Sequence, residues 1–433
     1  MTTLSIKLPE TKTPALDVSL RGRIGGPCRM CGAELKHVVV DLGMSPLCED
    51  FRSSDQIDGP ETYMPLKAVV CDQCFLVQVG EYATPSEIFE EYAYFSSYST
   101  SWLEHAKRYC EAMTERYGFG SDDLVVELGS NDGYLLQYFV TRGIDVLGIE
   151  PAANVAEVAV KRGVRTLARL FDVGLAQELV AGGRRPDLLI GNNVLAQIPD
   201  LNGFVAAMKI LLGPRGVITM EFPHLMRLME ENQFDTIYHE HFSYFSLLTV
   251  ERIFATHGLT LFDVDELPTH GGSLRIYARH AEDDGKIVES RVRDLREREL
   301  ATGLDRLEHY GMFAEQVRET KRRILDFLIG ARRRGKSVVG YGAPGKGNTL
   351  LNYCGIRTDF LDYTVDRNPY KHGKFLPGTH IPIYAPERIL ETRPDYLFIL
   401  PWNLKDEIME QMSVIRSWGG QFVVPIPDVK VYS

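Results

Sequence analysis

Two cysteine pairs and one histidine-rich segment hold the residue types best suited to chemistry in this chain. Cys28-x-x-Cys31 and Cys71-x-x-Cys74 each place two thiolates across a tight turn. Four thiolates at tetrahedral distance bind Zn2+ and close its coordination shell, leaving no position for an activated water. The site is therefore expected to be structural; two redox pairs are the competing reading. The remaining cysteines, Cys48, Cys110 and Cys354, bring the total to seven. An odd count argues against a disulfide framework and for a reducing cytoplasm. Further along, Tyr238-His239-Glu240-His241 sets two imidazoles, an acid and a phenol side by side. Histidine titrates nearest neutral pH, which makes it a natural general base, and a nearby carboxylate can orient it. A metal site is the alternative, but a third ligand of known spacing is missing.

A different chemistry is written into Val125-Val126-Glu127-Leu128-Gly129-Ser130-Asn131-Asp132-Gly133. The segment reads as a strand ending on Glu127, then a glycine loop opening a helix. Glycines let the backbone approach a ligand where a Cβ would collide. This is not the dinucleotide loop, whose helix N-terminus faces a pyrophosphate. An acid there suits a cationic ligand, and S-adenosylmethionine has a sulfonium and an amino group but no phosphate. Glu150, about 20 residues on, ends the next strand, where a carboxylate can accept both ribose hydroxyls. The expected cofactor set is Glu127, Gly129, Ser130, Asn131, Gly133, Glu150, Asn154, Phe171, Asp172 and Asn192. A nicotinamide enzyme and a ligand-free Rossmann-like domain are the alternatives.

The elements that position these residues are legible in outline. Apolar runs at Leu124–Leu128, Val146–Ile149, Leu188–Ile190 and Val217–Met220 alternate with helical stretches, implying a parallel, doubly wound sheet. Leu259–Leu267 and Ser273–Ala278 read as a hairpin that closes it. Residues 284–334 are rich in Arg, Glu and Leu without proline, and predict one or two long helices. A second alternating section follows, with strands at Ser337–Tyr341, Leu361–Val365, Tyr396–Leu400 and Gln421–Val424. The domains expected are a flexible 1–24, a zinc-binding 25–90, a class I methyltransferase Rossmann-like domain over 91–283, and over 284–433 a helical connector plus a C-terminal Rossmann-like α/β domain.

In that last section Gly340-Tyr-Gly-Ala-Pro-Gly-Lys-Gly-Asn-Thr349 is a strand, a glycine loop and a helix start. Loop amides with a helix N-terminus make an anion site, and Lys346 adds charge. It is not a P-loop, because Gly347 follows the lysine. Asp366 ends the next strand, and Lys371, His372 and Lys374 could reach a diphosphate. The expected carrier site comprises Tyr341, Ala343, Lys346, Asn348, Asp366, Lys371 and Lys374, with Phe222 and His224 from the middle domain. Net charge is −11 with no basic stripe, which argues against nucleic acid. No apolar run approaches a membrane span, and the N-terminus lacks a signal-peptide core.

The cysteine pairs, Glu127–Gly133, Tyr238–His241 and Gly340–Thr349 occur in this order in the nucleotide-sugar C-methyltransferases of deoxysugar biosynthesis, which the chain resembles from about residue 25 to its end. The resemblance implies methylation at carbon 3 of a 4-keto-6-deoxy sugar carried on dTDP or GDP, by a monomer or weak oligomer. It implies His241 as base, with Tyr238 and Glu240 around it, Tyr92 facing the sugar and Asn193 near the ketone. Gln197 departs from the family pattern, which has histidine there. Glutamine donates a hydrogen bond but transfers no proton at neutral pH, so stereochemistry or sugar is expected to differ. A sugar-nucleotide epimerase or oxidoreductase, or a methyltransferase acting on another acceptor such as RNA or protein, are the rival functions.

Overall fold

The computed structural model describes residues 26–82 and 95–433. Tyr92 lies outside the described residues.

Near the N-terminus, β1 (His37–Ser45), β2 (Met64–Val70) and β3 (Val77–Val79) form an antiparallel meander. One cysteine pair precedes β1 and the other fills the turn between β2 and β3, so the sheet brings both pairs to one end. A fourth short strand, Ser243–Tyr244, joins β3 from far along the chain, with Val77 opposite Tyr244 and Gln78 opposite Ser243.

The central sheet contains β4 (Leu124–Leu128), β5 (Asp145–Ile149), β6 (Thr166–Leu167), β7 (Leu188–Asn192) and β8 (Val217–Pro223), all parallel. With Ser243–Tyr244 as β9, the closing hairpin is β10 (Leu259–Leu267) and β11 (Ser273–His280), and β11 runs antiparallel to β8. The order is β10-β11-β8-β7-β4-β5-β6. Strands β4 and β7 are apolar and buried because helices cover both faces. The helix Thr100–Tyr117 is one of those covers. It buries Trp102, Ala106, Tyr109, Cys110 and Met113, a stripe of helical period, is capped by the Ser99 side chain, and ends at left-handed Gly118. Burying each of its large side chains is worth about 1.5–3 kcal/mol. Strand order reverses at β4, with β5 on one side and β7 on the other. The crevice beyond the carboxyl ends of these strands is where open α/β sheets bind ligands.

The third sheet holds β12 (Val338–Tyr341), β13 (Thr364–Val365), β14 (Ile383–Tyr384), β15 (Tyr396–Ile399), β16 (Gln421–Val424) and antiparallel β17 (Lys430–Tyr432), in the order β14-β13-β12-β15-β16-β17. β14 and β17 are too short to show a period-two pattern, and β13 begins at Thr364, although Asp362 N and Tyr363 O already bond to β12 at Val338 O and Gly340 N. The connector is two long helices, Ser290–Thr302 and Phe313–Arg333, with the five-residue helix Leu307–Gly311 between them. Gly303, at φ 97°, breaks the first in a conformation that suits glycine. Among the described residues no helix is long and apolar enough to cross a membrane.

Candidate active site

Cys28, Cys31, Cys71 and Cys74 present four sulfurs that all lie within 4.8 Å of one another. Cys28 and Cys74 are 3.5 Å apart, as are Cys31 and Cys71. A tetrahedron of Zn–S bonds has edges of roughly 3.8 Å, so the donor set fits a closed, structural zinc site. Each pair sits in a tight turn. Gly32 N donates to Cys28 O at 2.9 Å, and Phe75 N donates to Cys71 O at 3.0 Å. Arg29, beside the first ligand, reaches outward. Its guanidinium donates to Phe242 O at 2.8 Å and Val79 O at 2.7 Å, and it lies over the Phe242 ring at 5.3 Å. The zinc-bearing sheet is thereby fastened to the residue that follows His241.

At the switch point beyond β4, a cavity of about 470 Å³ opens. Gly129, Asn131, Glu150, Phe171, Asp172 and Asn192 of the expected cofactor set line it, together with Trp102, Tyr134, Asn193 and Gln197. Gly129 has φ 63°, and a Cβ there would stand 2.5 Å from Val194 Cγ2, so the loop requires glycine. Glu127 does not line the cavity. It is fully buried, its oxygens meet no hydrogen-bond partner by geometry, and burial pushes its pKa well up, opposed by the Tyr134 side chain. Glu150 accepts from Asn131 N and from Ala152 N, each at 2.9 Å, which ties the two loops together around the crevice. Ser130 and Gly133 shape the loop behind it. Asp172 accepts from Leu175 N at 2.7 Å and caps the helix Val173–Ala181. Asn154 lies in the helix Ala153–Lys161, outside the cavity lining.

The Tyr238–His241 segment is more buried than a surface loop. His239, Glu240 and His241 are all buried. The Tyr238 hydroxyl lies 3.1 Å from His241 Nε2, with the two rings 4.2 Å apart. Burial first, then His270 and Lys346, lower the His241 pKa to about 3, so the imidazole is neutral at pH 7, though a weaker proton acceptor than a free imidazole. Phe242 N donates to Ala196 O at 2.7 Å, which docks the segment against the turn bearing Gln197. Tyr238 and His241 do not line the cofactor cavity, whereas Asn193 and Gln197 do. Glu240 turns away from His241. It accepts from Cys48 Sγ at 3.1 Å, and burial raises its pKa to about 7. It is not the carboxylate that orients His241, because its partner belongs to the zinc domain.

Several further side chains complete this site, none of them among the residues expected from the sequence. Glu221, at the end of β8, accepts from Arg275 Nη2 at 2.6 Å, Thr269 Oγ1 at 2.8 Å and His105 Nε2 at 2.9 Å. Burial alone would raise its pKa, but Arg275 and His105 outweigh it and hold the carboxylate at about 2. His270, in the hairpin turn, meets Asn193 and packs edge-on against Trp102 at 5.0 Å. Its pKa is lowered to about 4, by burial first and then by Lys346. Trp402 donates to Asp235 Oδ2 at 2.7 Å. An acid at the carboxyl end of a parallel strand was the available signal for Glu221. A histidine in a Gly-Gly turn gave none.

The expected carrier residues divide. Lys346 is half-buried, donates to Asn403 Oδ1 at 2.8 Å and lies 4.8 Å over the Trp402 ring. Burial, partly offset by Asp235, lowers its pKa to about 8. Its positive potential is felt at His241 and His270. Lys371 donates to Ala343 O at 2.8 Å and pairs with Glu49 at 3.4 Å, so its charge is engaged. Asp366 accepts from Ala343 N at 2.7 Å and Asn368 N at 2.8 Å, holding the glycine loop. Asn348 is buried with an unpaired amide, Tyr341 is buried with its hydroxyl donating to Gln411, and Lys374 is half-buried. Phe222 and His224 are structural here. Phe222 packs on Phe245 in the core, and His224 Nε2 meets Glu299 Oε1 of the connector at 2.7 Å. β8 continues through Pro223, so these two side chains enter packed layers instead of the crevice.

Three family models match in order: a zinc binding domain over residues 28–89, a methyltransferase domain over 102–264, and a C-methyltransferase C-terminal domain over 268–427. The chain is 37% identical over 406 residues to the C-methyltransferase NovU of Streptomyces niveus, covering 94% of this chain and 96% of that one. Among solved structures it is similar to the 1,6-didemethyltoxoflavin N1-methyltransferase of Burkholderia thailandensis (21% identity, 42% of this chain and 82% of that one, TM-score 0.32). It is also similar to magnesium protoporphyrin IX methyltransferase of Synechocystis PCC 6803 (14%, 41% and 77%, TM-score 0.31).

Proposed function

This chain belongs to the C-methyltransferases that use S-adenosylmethionine and carry an N-terminal zinc-binding domain, and from that premise we propose that it methylates carbon 3 of a 4-keto-6-deoxy sugar carried on dTDP or GDP. The observation that supports this reading is the neutral, buried His241 beside Tyr238, on a segment that Phe242 N ties to Ala196 O in the turn whose Asn193 and Gln197 line the cofactor cavity.

A carbon next to a ketone becomes nucleophilic only after losing a proton to give an enolate. His241 takes that proton, with Tyr238 steering the imidazole. Asn193 faces the ketone oxygen, where charge develops, and burial strengthens any donor placed there. When bound, S-adenosylmethionine supplies an electrophilic methyl group. Glu127, Glu150 and the Gly129–Gly133 loop hold and orient it. Gln197 lines the cavity, where it can donate a hydrogen bond but cannot relay a proton at neutral pH. The C-terminal glycine loop with Asn348 carries the nucleotide, while Lys346 adds positive potential near the histidines. The reducing cytoplasm suits the thiolate site.

Product analysis with labelled S-adenosylmethionine and a panel of dTDP- and GDP-linked 4-keto sugars tests the proposal. A C3-methylated sugar nucleotide is expected. Methyl transfer to oxygen or nitrogen, or to no member of the panel, would overturn it.

A further inference from the structure

Asn193 sits at the carboxyl edge of the central sheet with φ 58°, a left-handed conformation, and lines the cofactor cavity. Its backbone N–H donates to Glu221 O at 2.7 Å. Its side-chain Nδ2 donates to His270 Nε2 at 2.9 Å, and its Oδ1 is buried without a partner. His270 is also held left-handed, at φ 55°. Asparagine and histidine enter that conformation more readily than most non-glycine residues, and such residues gather at functional sites. Two of them, in contact and both tied to Glu221, form one unit. Glu221 accepts from Thr269, the neighbour of His270, and from the backbone of the Asn193 turn through its own carbonyl.

We propose that His270 is a positioning residue whose ring fixes which end of the Asn193 amide meets the substrate. The inference rests on the enolate reading above. Amide ends are exchanged by a half-turn, and imidazole tautomers interconvert to match. With the proton on Nε2, His270 donates to Asn193 Oδ1, so the orphaned buried oxygen gains its partner. Nδ2 then takes the position now held by Oδ1 and offers a donor there. A donor stabilises an enolate oxygen, whereas Oδ1 facing it would repel. Trp102, edge-on to the ring, and Glu221, through Thr269, keep His270 from rotating away. No proton passes between His270 and substrate.

The test uses the full-length, zinc-loaded chain and the best sugar nucleotide from the panel. His270→Phe retains the ring against Trp102 but removes the hydrogen bond. It is expected to lower kcat about tenfold to 100-fold, short of what loss of the oxyanion donor itself costs. S-adenosylmethionine Kd and melting temperature should hold. His270→Gln, which restores an N–H, should recover most of the rate. In an Asn193→Ala background His270→Phe should cost nothing further, because the effect runs through Asn193. Additive losses, or a kcat loss that follows S-adenosylmethionine Kd or melting temperature, would overturn this inference alone. A wild-type chain that methylates no keto sugar would overturn the enolate reading and this inference together.

Discussion

Replacing Arg29 by methionine tests whether the zinc domain serves the reaction centre. Arg29 neighbours the ligand Cys28 and makes two short bonds, 2.8 Å to Phe242 O and 2.7 Å to Val79 O. Hydrogen bonds from a charged donor are worth about 1.5–3 kcal/mol each. Phe242 O keeps a second donor, Val79 N at 3.1 Å, so only part of that is lost at this carbonyl. A net loss of about 2–4 kcal/mol follows, with the contact over the Phe242 ring included. Methionine fills similar space without charge, so the sheet should survive. The loosened element is the stretch containing Tyr238, His241 and β9. If that loss falls on the organised state of the stretch, kcat drops roughly 30-fold to several hundred-fold, since about 1.4 kcal/mol is tenfold. Zinc content by elemental analysis should stay at about one per chain, as the four thiolates require. S-adenosylmethionine binding by calorimetry should be unchanged, because the crevice at β4 shares no bond with Arg29. Hydrogen exchange should quicken at the amides of residues 242–244. A variant with wild-type kcat, or one that loses cofactor binding and turnover alike, would refute the coupling.

Glu127→Gln should weaken S-adenosylmethionine binding by at least about tenfold, since a cation bound in the adjoining cavity favours the ionised form of this buried acid, which burial alone keeps protonated; calorimetry that shows equal affinity would move the ligand's cation elsewhere. Exchange of the sugar C3 proton into deuterated water should keep its rate from about pH 7 down to about pH 5, because the His241 pKa of about 3 keeps the base form present, whereas an exposed imidazole titrates near 6.5. A half-loss near pH 6.5 would exclude a buried imidazole as the base. Lys346→Met removes a positive charge that depresses His241 and His270, so both pKa values should rise and the acid limb of the rate should move to higher pH. An unmoved limb, with only a raised sugar-nucleotide KM, would return Lys346 to the diphosphate.

The sequence by itself determined what depends on neighbours a few residues apart. A Cys-x-x-Cys turn aims two sulfurs the same way in any fold that forms the turn, and both pairs did converge. A strand ending on Glu127 before Gly129, and Glu150 one strand later, specify a crevice through local geometry, because a parallel βαβ unit has one hand. The connector and the C-terminal sheet were legible as classes of element, with boundaries lost where strands fell to two or three residues. Tertiary structure decided everything that needs two distant segments to meet. Glu221 opposes Arg275 only through the register of β8 with β11, and His105 reaches it only because its helix lies across that sheet. His270 meets Asn193 across 77 residues, and Cys48 meets Glu240 across 192. Phe222 and His224 illustrate the converse. Their types suited a ligand, but which face of β8 each side chain takes, and what covers that face, is fixed by burial of the whole sheet against the connector. Residue type and spacing announce chemistry; the packing of separate domains chooses which side chains remain free to perform it.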